Sequence, residues 1–181
     1  MSEKSLKTLI KMILFILIFT VLTIAFDQWT KALAVTYLKG KEDILLIPGV
    51  LQLTYLENTG AAFSFAANHS VFQTIMTVLT PIVMVLILFF VLRSVFLTNK
   101  DRYRILRIDL LFILAGALGN YIDRIQNHYV VDFIYFSLIN FPVFNVADIY
   151  VTLSVIVLFC LFVFYYKEEE LSNFFSFRKA D

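Results

Sequence analysis

A chain of 181 residues that is 60% hydrophobic, with a mean hydropathy of +0.83, has too little polar surface to cover a soluble globule. Its formal net charge of +1 excludes a broad basic face for nucleic acid. The single cysteine, Cys160, can close no internal disulfide and, within an apolar stretch, reads as a small packing residue.

Four runs, at about residues 9–26, 71–92, 105–122 and 146–166, are long and apolar enough to cross a bilayer, which takes about 20 helical residues for a core of roughly 30 Å. The first has basic residues before its apolar stretch, the outline of a secretory signal. It ends in Ile-Ala-Phe-Asp-Gln-Trp rather than a small-x-small site, and is read as an uncleaved anchor. At its outer end Asp27 and Lys31 stand four apart, the spacing of an exposed ion pair on a helix, with Trp29 as an interfacial aromatic. Asp27 lies nearer the hydrocarbon and is expected to brace other polar groups, and Lys31 is placed with it among the supporting residues.

The piece that follows, residues 27–70, is not an ordinary linker. Ile44–Ile47 and Leu51–Tyr55 flank Pro48-Gly49, a pattern of two short strands around a turn. Leucines and aromatics on that small sheet could rest on the lipid surface. Next comes Glu57-Asn58-Thr59-Gly60-Ala61-Ala62-Phe63-Ser64, where small residues allow close backbone approach. Asn58 could donate to a substrate carbonyl or to a carboxylate. Ser64 has no base partner in view, and His69 and His128 stand alone without ligand spacing, so no metal is assigned.

The second span contains Pro81, where a bend is expected. The third is the least apolar, with Arg107 and Asp109 in its first turns. At its far end Asn120, Asp123 and Arg124 share a face if the helix continues. Gly116 and Gly119 let a neighbouring helix come close. The second external piece, residues 123–145, holds a possible strand, Val130–Tyr135, that includes Asp132. On the fourth span Asn145, Asp148 and Thr152 form a stripe, with Asn145 placed to cap the helix and Asp148 near its positive end. Beyond Tyr166 the tail is charged, then mixed, and reads as a short helix or a disordered end.

Basic residues fix the expected orientation. Eleven (Lys4, Lys7, Lys11, Arg93, Lys100, Arg102, Arg104, Arg107, Lys167, Arg178, Lys179) fall on one side of the spans and four (Lys31, Lys39, Lys41, Arg124) on the other. Both termini are therefore expected inside and both long polar pieces outside. The expected fold is mainly α: a four-transmembrane-helix bundle with a small external β-sheet, forming a single integral membrane domain over residues 1–181.

Asp132 and Asp148 remain to be explained. A carboxylate beside hydrocarbon is costly unless paired or solvated, and by default marks a functional site. Two that converge on one water form an acid–base pair able to hydrolyse an amide. A transporter would place such groups near mid-bilayer within inverted repeats, which are not visible here. A docking protein would leave the paired Asp, Asn and Arg positions without a purpose.

Five blocks, taken together and in order, resemble bacterial lipoprotein signal peptidase, the type II signal peptidase. They are Phe26-Asp27-Gln28-Trp29-Thr30-Lys31, Glu57 to Ser64, Gly116-Ala117-Leu118-Gly119-Asn120-Tyr121-Ile122-Asp123-Arg124, Val130-Val131-Asp132-Phe133-Ile134 and Phe144-Asn145-Val146-Ala147-Asp148. The resemblance implies a four-helix membrane aspartyl protease. Such an enzyme removes the signal peptide of prolipoproteins just before a diacylglyceryl-modified cysteine. It implies Asp132 and Asp148 as the catalytic pair, with Asp27, Asn58, Asn120, Arg124 and Asn145 lining or bracing the site. Lys31, Gly116, Asp123 and Ala147 complete the supporting set. No cofactor is expected. The expected partners are diacylglyceryl-modified prolipoproteins and bilayer lipid, not nucleic acid, and the expected state is a monomer. The expected location is the bacterial cytoplasmic membrane, crossed several times, with the site at the external face. One departure is Ala115, where many relatives have a second glycine before Gly116.

Overall fold

The computed structural model describes residues 3–60, 69–97 and 101–176, and side chains within 6–60, 74–97 and 101–176. The elements run in order as α1 (Glu3–Leu38), β1 (Ile44–Ile47), β2 (Leu51–Asn58), α2 (His69–Phe96), α3 (Arg104–Asn127), β3 (Val130–Phe136), α4 (Val146–Cys160) and α5 (Glu168–Phe175). Four of these helices are long and apolar enough to cross a membrane, α4 doing so with the π-helical turn Leu161–Tyr165 that prolongs it. The protein is a multi-pass membrane protein.

Helix α1 does not stop where its apolar run stops. It continues from the expected end near Phe26 through Asp27 and Lys31 to Leu38, 36 residues in all. At 1.5 Å per residue that is about 54 Å, well beyond a hydrocarbon core of roughly 30 Å. Its last turns therefore become a post on which the sheet is built. The order in the sheet is β1-β2-β3, all antiparallel. Val131 and Phe133 of β3 pack on Ala34 and Leu38 of α1, with Leu53 and Tyr55 of β2 beside them. Alternation along the strand then sends Asp132 to the opposite face, away from α1. The hairpin turn at Pro48-Gly49 is closed by Val50 N–H donating to the Ile47 carbonyl at 2.9 Å, with Gly49 at φ 72°.

The main apolar core joins α1, α2 and α3 at the end of the bundle away from the sheet, around Ile16, Val91, Leu106 and Leu111. The two charges that make α3 the least apolar span are both buried, Asp109 on the side that faces Ser154 of α4 and Arg107 on the side that faces α2. Arg107 donates to the Ser94 hydroxyl at 2.7 Å and to its carbonyl at 2.9 Å, tying the end of α2 to the start of α3. Helix α2 runs through Pro81 as one helix. The tail forms a short helix, α5, that docks rather than trails. Its Phe174 is 2% exposed and packs on Phe90 and Tyr103, while Glu170 pairs with Arg102 at 2.6 Å. Cys160, expected to pack inside, lies exposed on α4, on the outer surface that a lipid-facing helix presents.

Helix α4 approaches α3 over Gly116. A Cβ at that position would sit 2.6 Å from the Ala147 carbonyl oxygen and 2.8 Å from the Val151 side chain. Gly119 is closed in the same way, because a Cβ there would collide with the Asp27 carboxylate. The expectation that these glycines admit a neighbouring helix is met, and the neighbours are α4 and α1. Gly116→Ala is predicted to force α4 away from α3 at a cost of about 1–3 kcal/mol. Thermal unfolding of the purified variant in detergent is the measurement, and an unchanged midpoint would contradict the close packing.

Candidate functional site

The site forms at the sheet end of the bundle, where α1, α3, the start of α4 and the strands β2 and β3 meet. Its foundation is the ammonium of Lys31. Nζ lies 2.9 Å from Asp27 Oδ2, 3.1 Å from Asp123 Oδ2 and 3.0 Å from Asn120 Oδ1. An ammonium has three protons to donate, and all are used. The pair with Asp27 is therefore not the exposed ion pair that its spacing suggests. Lys31 is 3% exposed and Asp27 fully buried. Trp29, one residue from Gln28 but on the other side of the helix, is 56% exposed, as an outward-facing anchor should be.

Each carboxylate of this buried trio also holds a backbone group. Asp27 Oδ1 accepts the Ala147 N–H at 2.9 Å, at the first turn of α4, and Asp123 Oδ2 accepts the Val131 N–H at 3.0 Å, on β3. Gln28 closes the set, its Nε2 lying 3.2 Å from Asp27 Oδ2, 3.0 Å from Asp123 Oδ1 and 3.1 Å from the Gly119 carbonyl. Gln28 is a site residue that was not singled out from the sequence. The signal was available, since Gln28 and Lys31 are three apart on one helix and share a face.

Above this foundation sit the two aspartates. Asp132 is 1% exposed, and each of its oxygens accepts one amide N–H. Asn58 Nδ2 donates to Oδ2 at 2.7 Å and Asn145 Nδ2 donates to Oδ1 at 2.7 Å. Asn58 is itself held by the Gly60 N–H, which donates to its Oδ1 at 2.8 Å. Of the two uses foreseen for Asn58, the geometry takes the carboxylate. The segment from Ala61 to Ser64 lies outside the described residues. Burial pushes the Asp132 carboxyl up to about 7; the bond from Asn58 opposes this, the nearby Asp148 adds to it, and the Asn145 bond and Lys31 oppose it again.

Asp148 stands in the first turn of α4. Asn145 caps that helix, its Oδ1 accepting the Asp148 N–H at 3.0 Å while its own N–H donates to Asp148 Oδ2 at 3.1 Å. This is a reciprocal capping box, with an aspartate in the role that Glu or Gln usually plays. Asn120 Nδ2 donates to Asp148 Oδ1 at 2.8 Å. Asn145 also lends its Nδ2 to Asn120 Oδ1 at 3.0 Å. The fully buried Asn145 thus touches both aspartates and the asparagine that orients one of them. Arg124 is half-buried on the same helix face as Asn120. Its Nη1 donates to the Asn120 carbonyl at 3.5 Å, and its charge is felt at Asp148, Asp132 and Asp123.

All the residues singled out for the site meet here: Asp27, Lys31, Asn58, Gly116, Asn120, Asp123, Arg124, Asp132, Asn145, Ala147 and Asp148. The stripe expected on α4 does not extend to Thr152, which is exposed and outside the cluster. His128 ends α3 in a left-handed conformation, φ 64°, and is exposed. The arrangement offers two neighbouring carboxyl groups joined through one residue, Asn145, whose side chain donates to Asp132 and whose backbone N–H donates to Asp148, with Asp132 desolvated enough to hold a proton near neutrality. That combination suits acid–base chemistry on a bound water.

The foundation has a measurable consequence. Lys31→Met removes the one cation between two buried carboxylates, a change that costs about 3–5 kcal/mol when a buried charge loses its partner. The variant should unfold at much lower temperature in detergent; a midpoint equal to that of the native protein would show that Lys31 is not the brace.

The comparisons with known proteins agree with this geometry. Residues 19–164 match the family described as signal peptidase (SPase) II. A lipoprotein signal peptidase of Enterococcus faecalis is 36% identical over 152 residues, 84% of this chain and 88% of the relative. One of Clostridium tetani is 39% identical over 156 residues, 84% and 93%, and one of Streptococcus agalactiae is 38% identical over 156 residues, 86% and 94%. A bacterial membrane enzyme solved in meso at 1.9 Å superposes with a TM-score of 0.69 at 29% identity, covering 82% of this chain and 92% of that one. Another, solved at 2.3 Å, gives 0.68 at 27% identity, covering 92% and 94%. The chain is thus a membrane hydrolase and belongs to the signal peptidase II family.

Proposed function

We propose that the protein cleaves the signal peptide of prolipoproteins on the N-terminal side of a diacylglyceryl-modified cysteine, with Asp132 and Asp148 dividing the acid and base roles. The observation that supports this most directly is Asn145, bonded to both aspartates and held in place by the capping of α4. Family membership makes a signal-peptide bond the substrate, and the two carboxyl groups provide a way to break it.

Asp132 is the acid. With its carboxyl pushed up to about 7, it keeps the shared proton at neutral pH. Asp148, which accepts from Asn120 and from the Asn145 backbone at the N-terminus of α4, is the base, since a helix N-terminus favours negative charge. Water attacks the scissile carbonyl carbon as Asp148 takes one of its protons, while the Asp132 proton passes to the carbonyl oxygen. The resulting gem-diol collapses: the proton on Asp148 moves to the leaving nitrogen, the C–N bond breaks, and a diol proton returns to Asp132. Arg124, whose charge is felt at both carboxylates, orients the peptide. Holding the water and the carbonyl in place contributes several kcal/mol on its own.

The excess of basic residues toward the α5 end of the bundle supports an orientation with that end in the cytoplasm and the sheet outside. The site then lies at the external edge of a bacterial cytoplasmic membrane. A lipid-anchored substrate can keep its acyl chains in the bilayer while the bond beside its cysteine meets water. The exposed Ile44, Leu45, Leu46 and Ile47 of β1 would rest on the lipid surface, and one chain suffices for the whole site.

The reading is tested with a synthetic diacylglyceryl-cysteine peptide and its unlipidated counterpart, of which only the first should be cleaved. Asp132→Asn and Asp148→Asn should each reduce turnover by a factor of at least about 10², and the double variant should be little worse than either, because the two act as a unit. A single variant that kept a tenth of native turnover would remove the dyad mechanism. Chelators should leave the rate unchanged, whereas inhibition reversed by added metal would make the aspartates ligands instead.

A pH profile gives an independent check. Protonated Asp132 is the active form, so turnover should fall as pH rises through about 7. It should fall again in acid, when the pair takes up a second proton, giving a bell that reports the pair rather than either residue. A rate that kept rising above pH 8 would rule out Asp132 as the acid.

A further inference from the structure

Beside the aspartates, on the side of the site away from the helices, lies a cavity of about 420 Å³. One wall is built from Leu56, Glu57 and Asn58 of β2 and Tyr135 of β3. The other wall is the segment that leads into Asn145, including Asn140, Phe141 and Val143. That segment is fixed against β3, since Phe144 and Ile134 exchange backbone hydrogen bonds at 2.8 and 3.0 Å. The Tyr135 hydroxyl and the Asn140 side chain bond to each other across the wall. The cavity is thus an open groove bordered by the two pieces of chain that position the dyad, and Asn58, which lines it, donates to Asp132. Its size lies within the range of specific ligand pockets, roughly 300–1,000 Å³.

We propose that this cavity receives the residues that follow the lipidated cysteine, and so adds a specificity site for the mature end of the substrate. The inference rests on the signal-peptidase reading above. Three pieces of substrate leave the reacting carbon in that reading. The signal peptide and the acyl chains are apolar and stay in the bilayer. The mature polypeptide is the one piece that must pass outward, and the cavity lies on its way. Its walls pair apolar side chains with amide and hydroxyl groups and one carboxylate, Glu57, which pairs with Lys39. Such a lining accepts short uncharged side chains and an extended backbone, and it disfavours a second carboxylate, which would meet Glu57 as a like charge. Binding there fixes the scissile bond from its far side, so contacts remote from the reaction contribute to its rate.

The experiment compares two diacylglyceryl-cysteine lipopeptides with the same signal sequence, one ending in cysteine amide and one extended by four uncharged residues. The native enzyme should favour the extended peptide by a factor on the order of ten in kcat/KM. Leu56 is 42% exposed, so Leu56→Trp can fill the cavity without disturbing the core. This variant should lose the preference through a raised KM on the extended peptide, with its rate on the short one unchanged. Phe141→Trp, from the opposite wall, should do the same. An aspartate placed directly after the cysteine should also abolish the preference in the native enzyme. Equal native rates on the two peptides would overturn the proposal, as would variants that slow both peptides alike. Failure to cleave either peptide would instead remove the protease reading, and this inference with it.

Discussion

Everything at the sheet end of the molecule depends on one buried ammonium. Lys31 brings three oxygen atoms within 3.1 Å of its nitrogen, from α1 itself and from two positions on α3. The cost of burying a lone charge there would be several kcal/mol, and the two carboxylates offset it only because each is satisfied elsewhere as well. Asp27 reaches the backbone of α4 at Ala147 through its other oxygen, and Asp123 reaches that of β3 at Val131 through the same oxygen that meets Lys31. These are the two elements that bear Asp148 and Asp132. A single cation therefore sets the relative positions of both candidate catalytic groups without touching either of them.

The same arrangement explains why the glycines of α3 have no substitute. An ion pair buried between helices is strong only at short range, since its energy falls with distance and rises as water is excluded. Gly119 leaves the space that the Asp27 carboxylate fills, and Gly116 lets the Ala147 carbonyl come against the α3 backbone. Close helix packing and buried electrostatics are one design here. A larger side chain at either position would separate the charges that hold the helices together.

Much of this was legible in the sequence, and the reasons differ from residue to residue. Periodicity located Asn120, Asp123 and Arg124 on one face, because α3 does continue to Asn127. Capping chemistry placed Asn145 and Asp148. Alternation around Pro48-Gly49 gave β1 and β2, although β2 runs on to Asn58 and so delivers that side chain to Asp132. The burial of Lys31 was not legible, since a four-residue spacing looks the same whether the helix face meets water or another helix. The apolar span was expected to end near Phe26, with Asp27 and Lys31 on a helical turn beyond it; that the helix runs on to Leu38 follows from the sheet packed on its last turns. Gln28 was missed because Gly119 and Asp123, which it bonds, lie on a helix far away in the chain. The docked tail was half legible: its helix was foreseen, but not the place of Phe174 between Phe90 and Tyr103.

A conflict remains between stability and chemistry, and Asn145 is where the fold resolves it. Asp132 is desolvated on a strand, which favours its protonated form, while Asp148 lies in the first turn of α4 and accepts from Asn120 and from the Asn145 backbone. A basic residue between them would neutralise both and remove the difference. A neutral amide can donate to Asp132 and to Asn120 through one nitrogen while its oxygen caps α4. It spans the two groups without adding a charge of its own. Because the cap is part of α4, the side chain cannot turn away without uncovering the helix end, so the geometry between the aspartates is enforced by the backbone. The proposed division of acid and base roles rests on where each aspartate stands in the fold, one on a strand and the other in the first turn of a helix.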